Sequence, residues 1–205
     1  MKSGKISQNP KSLTRRMNTR ELRRFLIVCE GEKTEPNYFK EFPDNPEVYD
    51  SIDIRGTGYN TISLVKKAIT LKKDAEKRRE SYIEVWCVFD KDDFSDDQFQ
   101  RAMDLADKNQ IRCAYSIEAF EIWYMLHFNY YDTGLSRKQY KGKLTELLGK
   151  PYQKNDKEMY QSLLKYQSKA IKHAQRLYEI QYKLPLVKRN PITTVFKLVE
   201  RLLSL

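Results

Sequence analysis

Phe25-Leu26-Ile27-Val28-Cys29-Glu30-Gly31 is an unbroken apolar run that ends in a carboxylate and a glycine, and Val85-Trp86-Cys87-Val88-Phe89-Asp90 repeats this design. Runs of this length and composition are typical of strands that are buried on both faces, as in a parallel sheet. Shorter strand-like runs at Ser51 to Arg55 and Ile111 to Ser116 alternate with helical patterns that start near Thr34 and cover 60–80 and 95–108. This alternation predicts an α/β fold with a mostly parallel sheet flanked by helices.

The chain divides into three parts by composition. Residues 1–23 mix basic and small polar residues without apolar periodicity, which predicts a disordered basic arm. Residues 24–130 carry the strand and helix alternation of the α/β core. Residues 131–205 carry helical spacing, notably over 159–182 and over 193–203, where two threonines after Asn190-Pro191 are candidate helix caps. We therefore predict a C-terminal helical extension packed on the core.

The net charge of +10 is unevenly distributed along the chain. Residues 1–24 carry eight Lys and Arg against one Glu, and residues 136–205 carry sixteen against five acidic residues. The middle, 25–135, has fourteen basic against twenty-two acidic residues. Basic flanks around an acidic centre suit a protein whose flanks bind a polyanion while its central carboxylates bind a metal. Basic tails are, however, also common on proteins that bind no nucleic acid.

The cysteines and the hydropathy of the sequence indicate the cellular compartment. Cys29, Cys87 and Cys113 are odd in number and far apart, which indicates buried thiols and a reducing, cytoplasmic setting. No apolar run approaches the roughly twenty residues of a membrane helix, and the N-terminus has no signal-like apolar region. We expect no membrane association.

Acidic residues follow the predicted strands at the positions where parallel sheets gather functional groups. Glu30 ends the first strand, and Asp90 and Asp92 end the third, followed by Asp93. An Asp-x-Asp pair can direct both carboxylates toward one hard cation such as Mg²⁺, although the same residues can also serve as a solvated helix cap. Asp93 is an equal candidate for ligand or cap.

Two further carboxylates lie after the last predicted strand of the core. Glu121 belongs to an otherwise apolar helix, where an unpaired carboxylate is costly to bury. We expect a metal, Lys33 or Lys91 as its partner, and we rank Glu118 below it as a site residue. His127, among apolar neighbours, fits a core residue better than a ligand.

The residues Val28-Cys29-Glu30-Gly31 and Val88-Phe89-Asp90-Lys91-Asp92 resemble the strand-Glu-Gly and strand-Asp-x-Asp signature of Toprim domains. The chain as a whole resembles the RloB family of Toprim-like proteins over residues 26–195. The stretches that carry this resemblance are Leu26 to Phe39, Phe120 to Phe128 and Asn190 to Val195. The resemblance implies a Toprim-like, Rossmann-like fold and an association with bacterial defence loci near ATPase genes.

The resemblance and the carboxylates together predict a nuclease that uses Mg²⁺ or Mn²⁺ in abortive infection, with a partner ATPase. Its catalytic residues would be Glu30, Asp90, Asp92 and Glu121, all of them metal ligands together with Asp93. Lys33, Lys91, Arg15 and Arg16 are the candidate contacts to DNA or RNA. The alternative is a non-catalytic nucleic-acid-binding or regulatory subunit, and the third hypothesis is a pure protein-interaction subunit. A homo-oligomer is compatible with each of these three hypotheses.

Overall fold

The computed structural model describes residues 22–91 and 95–204, with Val187 described in its backbone alone. The predicted arm over residues 1–23 therefore lies outside the described residues except for Leu22 and Arg23. The elements are β1 (Arg24–Cys29), α1 (Thr34–Lys40), β2 (Ser51–Gly56), α2 (Thr61–Lys77), β3 (Tyr82–Lys91), α3 (Asp96–Lys108), β4 (Arg112–Ile117), α4 (Glu121–Phe128), α5 (Arg137–Leu148), α6 (Met159–Leu163), α7 (Gln167–Gln181), β5 (Ile192–Thr193) and α8 (Val195–Leu203).

The strands form one five-stranded sheet in the order β2-β1-β3-β4-β5. The pairs β1–β2, β1–β3 and β3–β4 are parallel, and β5 pairs antiparallel with β4. The expected α/β fold is confirmed: a mostly parallel, Rossmann-like sheet carries helices on both faces. β1 and β3 lie side by side in the sheet, so their carboxyl ends reach the same edge.

The continuous apolar runs follow from burial on both faces of the sheet. Phe25 and Ile27 of β1 point into a large core that also contains residues of α1, α4, α7 and α8. Leu26 and Val28 point into a second core made with α2 and α3. Because successive strand residues face opposite sides, every residue of β1 after Arg24 must be apolar.

The C-terminal extension differs from its prediction in two places. The helical spacing over 159–182 is interrupted by a 3₁₀ turn at Leu164–Tyr166, because α6 packs on α1 whereas α7 packs on α4. Thr194 occupies the N-cap position of α8, but its side chain makes no capping hydrogen bond and bonds to β4 instead. Thr193 pairs with Ser116 in the sheet, and the Tyr115 N–H donates to Thr194 Oγ1 over 2.8 Å, so the extension also contributes β5.

The cysteines are free thiols, and Cys29 and Cys87 are buried as expected, whereas Cys113 is partly exposed. Across the described part of the chain, no helix combines the length and the apolar character needed to cross a bilayer.

Candidate functional site

An open cavity of about 580 Å³ lies beyond the carboxyl ends of β1 and β3. The loop after β1, the first turn of α1, the start of α4 and α5, and the loop between α5 and α6 surround it. Its lining includes five carboxylates and three cationic side chains, namely Glu30, Glu32, Glu35, Asp90 and Glu121 with Lys33, Arg137 and Lys154. We call this cavity the carboxylate pocket.

The two strand-end acids predicted as a pair are adjacent. The Glu30 N–H donates to the Val88 carbonyl over 2.8 Å, which continues the ladder between β1 and β3. The Asp90 N–H in turn donates to Glu30 Oε2 over 3.1 Å. The sheet thus fixes the Glu30 carboxylate against the backbone of Asp90.

Asp90 is short of partners for a buried charge. Its Oδ1 is buried and has no hydrogen-bond partner among the described residues, while its Oδ2 lies 3.5 Å from Arg137 Nη2. Burial raises the pKa of Asp90 well above its usual range, and the negative charges of Glu35, Glu121 and Glu30 raise it further, against the opposing effect of Arg137. An unpartnered carboxylate oxygen on a residue that lines an acidic cavity is suited to bind a cation.

Glu121 is buried at the first position of α4 and faces the same cavity. The Tyr152 hydroxyl donates to Glu121 Oε1 over 3.1 Å, and Lys154 Nζ lies 3.4 Å from the same oxygen. The contacts that were expected with Lys33 or Lys91 are thus made by Tyr152 and Lys154. The loop that carries both residues is tied to α1, since Thr34 Oγ1 donates to the Lys154 carbonyl over 3.2 Å.

Glu35 is a member of the pocket that the sequence analysis missed. It lies in the first turn of α1, only 5% of it is exposed, and its Oε1 accepts a hydrogen bond from the Gly31 N–H over 3.2 Å. A Cβ on Gly31 would lie 2.2 Å from Glu35 Oε2, so the glycine leaves room for this carboxylate. Burial raises the pKa of Glu35, and the charge of Glu121 raises it further, against the backbone hydrogen bonds. Acidic residues are common in the first turn of a helix, so the position of Glu35 in the sequence did not indicate that it belongs to a site.

The charges in the carboxylate pocket do not balance. With every group ionised, its five carboxylates exceed its three cations by two charges, an excess that one divalent cation would neutralise. Oxygen donors of this kind are those that Mg²⁺ and Mn²⁺ prefer, so the residues fit the expected metal. Within residues 22–91 and 95–204, however, no three His, Cys, Asp or Glu side chains already stand close enough together to enclose an ion.

The other predicted site residues are distributed as follows. Asp92, Asp93, Arg15 and Arg16 lie outside the described residues. Lys33 lines the carboxylate pocket, whereas Lys91 forms an ion pair of 2.8 Å with Asp96 at the start of α3. Glu118 has a left-handed backbone (φ 74°) and accepts a 3.4 Å hydrogen bond from Asn190 Nδ2, away from the pocket.

Arg137 is a candidate functional residue that no local sequence pattern indicates. It is the first residue of α5, and its Nε donates to the Glu118 carbonyl over 3.0 Å, which directs the guanidinium toward Asp90. The start of α5 thus places a cationic side chain beside the carboxylates of the pocket. Only the packing of the extension on the core brings it there.

The fold and the pocket define a class: a Rossmann-like α/β protein with a cluster of carboxylates at the ends of its parallel strands. The profile of the family described as RloB-like protein matches residues 25–202. The chain therefore belongs to the RloB-like family. A search of curated proteins and a search of solved structures each found no match.

Proposed function

We propose that this protein is a metal-dependent nuclease that hydrolyses phosphodiester bonds of DNA or RNA at the carboxylate pocket. The observation that carries the proposal is the convergence of Glu30, Glu35, Asp90 and Glu121 on one open cavity with an excess of negative charge. Clustered carboxylates raise one another's pKa, and perturbed pKa values of this kind are concentrated at functional sites.

The residues that would hold Mg²⁺ or Mn²⁺ are Asp90, Glu30 and Glu121, with Asp92 and Asp93 as expected additions from the same strand end. Asp90 is the anchor of this set because its Oδ1 has no other partner among the described residues. The ion would supply Lewis-acid polarisation of the phosphate.

The protein's own side chains divide the remaining work. Lys33, Arg137 and Lys154 stand at the pocket and would hold the non-bridging oxygens of a phosphate. Glu30 and Glu35 are the candidates to accept a proton from the attacking water, and the raised pKa of Glu35 brings it closer to neutral pH, where a general base is most effective. The basic ends of the chain would grip the strand on either side.

The biological setting belongs to the same proposal. Membership of the RloB-like family supports a role in anti-phage defence by abortive infection, with an ATPase encoded nearby as partner. Such a partner would supply any ATP-driven step, because the sequence contains no Walker loop, and it would control access to the pocket.

One observation favours a second candidate, a regulatory or nucleic-acid-binding subunit that does not cut. Arg137 already lies near Asp90, and Lys154 already lies near Glu121. Two cationic side chains can thus offset part of the negative charge without a metal. A protein of this kind would bind nucleic acid through its basic regions and would not respond to divalent ions.

The deciding experiment is cleavage of labelled DNA and RNA oligonucleotides with Mn²⁺ by the wild type, Asp90→Ala and Asp92→Ala. We expect both variants to lose activity by more than about a hundredfold, because each removes a ligand, while circular dichroism reports an intact fold. Asp97→Ala is the matched control, since Asp97 is an exposed acid in the first turn of α3. Unchanged cleavage by both Asp90→Ala and Asp92→Ala would refute the nuclease. Salt-dependent binding without any cleavage would favour the second candidate.

A further inference from the structure

A second cavity, of about 260 Å³, lies beside β4 and β5, between α3 and the C-terminal end of α7. Its lining shares no residue with the carboxylate pocket. Its lining combines apolar side chains with tyrosines, small polar groups and two cations, and it includes Tyr115, Tyr178, Tyr182, Arg189, Thr194 and Lys197. We call it the tyrosine pocket.

The tyrosine pocket contains a stacked pair of tyrosine rings that is partly exposed to solvent. The rings of Tyr178 and Tyr182 stack with their centroids 4.7 Å apart and an angle of 28° between planes. Tyr182 is 50% exposed, although a ring of this size is normally buried when it serves only to fill a core. The chain therefore holds an ordered aromatic pair at the surface.

Two cations stand over this pair without an ion pair to Asp or Glu among the described residues, although Lys197 lies near enough to Glu200 to oppose the rise in the pKa of that carboxyl. The Arg189 guanidinium carbon lies 4.4 Å from the Tyr182 ring centroid, and Lys197 Nζ lies 3.9 Å from that of Tyr178. Elsewhere in the described residues, ion pairs to Asp or Glu are frequent, but none includes Arg189 or Lys197. No acidic residue appears among the described residues that line this cavity.

Arg189 is held in place rather than left to sample solvent. Its Nε donates to the Leu184 carbonyl over 2.7 Å, and its guanidinium also makes a hydrogen bond with the Tyr115 side chain. The first turn of α8 opens beside it with no acidic residue. A nucleotide combines a planar base with an anionic phosphate. The aromatic ring and the positive charge of the pocket complement these two features.

We propose that the tyrosine pocket binds one nucleotide unit, with the base stacked on the layer that the Arg189 guanidinium and the Tyr182 ring form together and the phosphate paired with Arg189 and Lys197. The cavity is close to the lower limit of the ~300–1,000 Å³ usual for small-molecule sites, so it suits a single base with its phosphate. The unit is either an unpaired nucleotide of a bound strand or a free mononucleotide, since both present the same chemistry.

The test is equilibrium binding by the full chain in the presence of EDTA, so that the outcome does not depend on the carboxylate pocket. The probes are a fluorescent single strand of about ten nucleotides, adenosine monophosphate, and inorganic phosphate. The variants are Tyr182→Ala, Tyr182→Phe and the pair Arg189→Gln with Lys197→Gln. Lys188→Gln is the matched control, because Lys188 is an exposed cation of the adjacent 3₁₀ turn that does not line the pocket.

We expect Tyr182→Ala to weaken binding of the strand or of the mononucleotide by about fivefold or more, from the loss of base stacking. Tyr182→Phe keeps the stacking surface and should bind as the wild type does. The Arg189 and Lys197 double variant should bind about tenfold more weakly or worse, with Lys188→Gln near the wild type. A strand preference identifies a polymer contact, and a mononucleotide preference identifies a free ligand.

Three results would overturn the proposal. These are no binding of either nucleotide probe by the wild type, equal losses in Lys188→Gln and the double variant, or binding of inorganic phosphate as tight as that of the nucleotide with no effect of Tyr182→Ala. Thermal unfolding of each variant distinguishes a lost contact from a lost fold, and Tyr182→Phe repeats the test with the ring in place.

Discussion

Two groups of buried polar side chains both include residues of α1 and α4, and they differ in how their polar atoms are satisfied. The carboxylate pocket concentrates like charges and leaves Asp90 Oδ1 without a partner in the described residues. The second group, which we call the histidine network, consists of Tyr38, His127 and Gln167 and is made of neutral groups bonded to one another. The first group has an excess of negative charge that suits a cation, whereas the second satisfies most of its polar atoms by hydrogen bonds within the protein.

The histidine network holds α1, α4 and α7 together. His127 Nδ1 lies 2.9 Å from the Trp123 carbonyl oxygen, and its Nε2 lies 3.3 Å from Gln167 Oε1, which also accepts a hydrogen bond of 3.1 Å from the Tyr38 hydroxyl. Turning the Gln167 amide over would place its NH₂ group against Nε2, so a neutral imidazole can be satisfied at both nitrogens. Burial lowers the pKa of His127 to about 4. His127 is thus a core residue, the role favoured from the sequence.

The difference between the groups separates stability from function. A neutral, bonded network adds to the free energy of unfolding, because its hydrogen bonds satisfy most of the polar atoms that it buries, with Gln167 Nε2 as the exception. A cluster of carboxylates opposes folding until a cation reaches it. We therefore expect the carboxylate pocket without metal to lower the free energy of unfolding, and the histidine network to raise it.

The largest expected effect is on the histidine network. His127→Ala removes a ring that is fully buried and leaves Gln167 without one of its partners, so the free energy of unfolding should fall by roughly 3 kcal/mol. Urea denaturation at pH 7 measures it.

His173→Ala is the matched control for that substitution. His173 is only partly buried and makes one described hydrogen bond, from Nδ1 to the Leu126 carbonyl oxygen at 2.8 Å. Its loss should cost about 1 kcal/mol. Equal losses in the two variants would mean that the network contributes no more than an ordinary surface contact.

A smaller effect should appear when the pH is lowered. His127 takes up a proton near pH 6.5 when unfolded but near pH 4 when folded, so the unfolded chain binds more protons between these values and stability falls as the pH falls. From pH 7 to pH 5 this amounts to about 2 kcal/mol. The gap in unfolding free energy between the wild type and His127→Ala should therefore narrow by that amount. Other titrating groups, including Glu35 and Asp90, are common to both proteins and cancel. A gap that stays constant or widens would contradict a neutral, buried His127.

The smallest effect concerns the carboxylate pocket without metal. The raised pKa of Glu35 means that its ionisation opposes folding above its ordinary pKa, and glutamine can keep the hydrogen bond from Gly31. At pH 8 with EDTA, Glu35→Gln should raise the unfolding free energy by on the order of 1 kcal/mol, the usual scale of a single substitution. Glu32→Gln, an exposed acid on the same cavity, should change little. Destabilisation by Glu35→Gln would show that its charge is already compensated.

The parts of the molecule that could be predicted are those with local causes. β1 and β3 were predictable because burial on two faces demands an unbroken apolar run. The nearness of Glu30 and Asp90 followed from the rule that parallel strands end at one edge, and the hydrogen bond between them agrees with it. Glu121 was a candidate because a carboxylate in an apolar helix needs a partner.

The parts that escaped prediction depend on contacts across long stretches of chain. Arg137 and Lys154 reach the carboxylate pocket only because the C-terminal extension folds back over the ends of the strands. Glu35 lacked a local signal, since its significance comes from burial beside Gly31. β5 has two residues, too few for any periodicity, and the sheet pairing of Thr193 was invisible beside its resemblance to a helix cap.

The most direct test of the proposed metal site is isothermal titration of Mn²⁺ into the wild type and Asp90→Asn, a substitution that keeps the side-chain shape and removes the charge. The account predicts a saturable heat for the wild type that is absent or reduced by more than about tenfold in affinity for Asp90→Asn, with Asp97→Asn like the wild type. Identical titrations for the wild type and Asp90→Asn, or no heat of binding in the wild type, would contradict it.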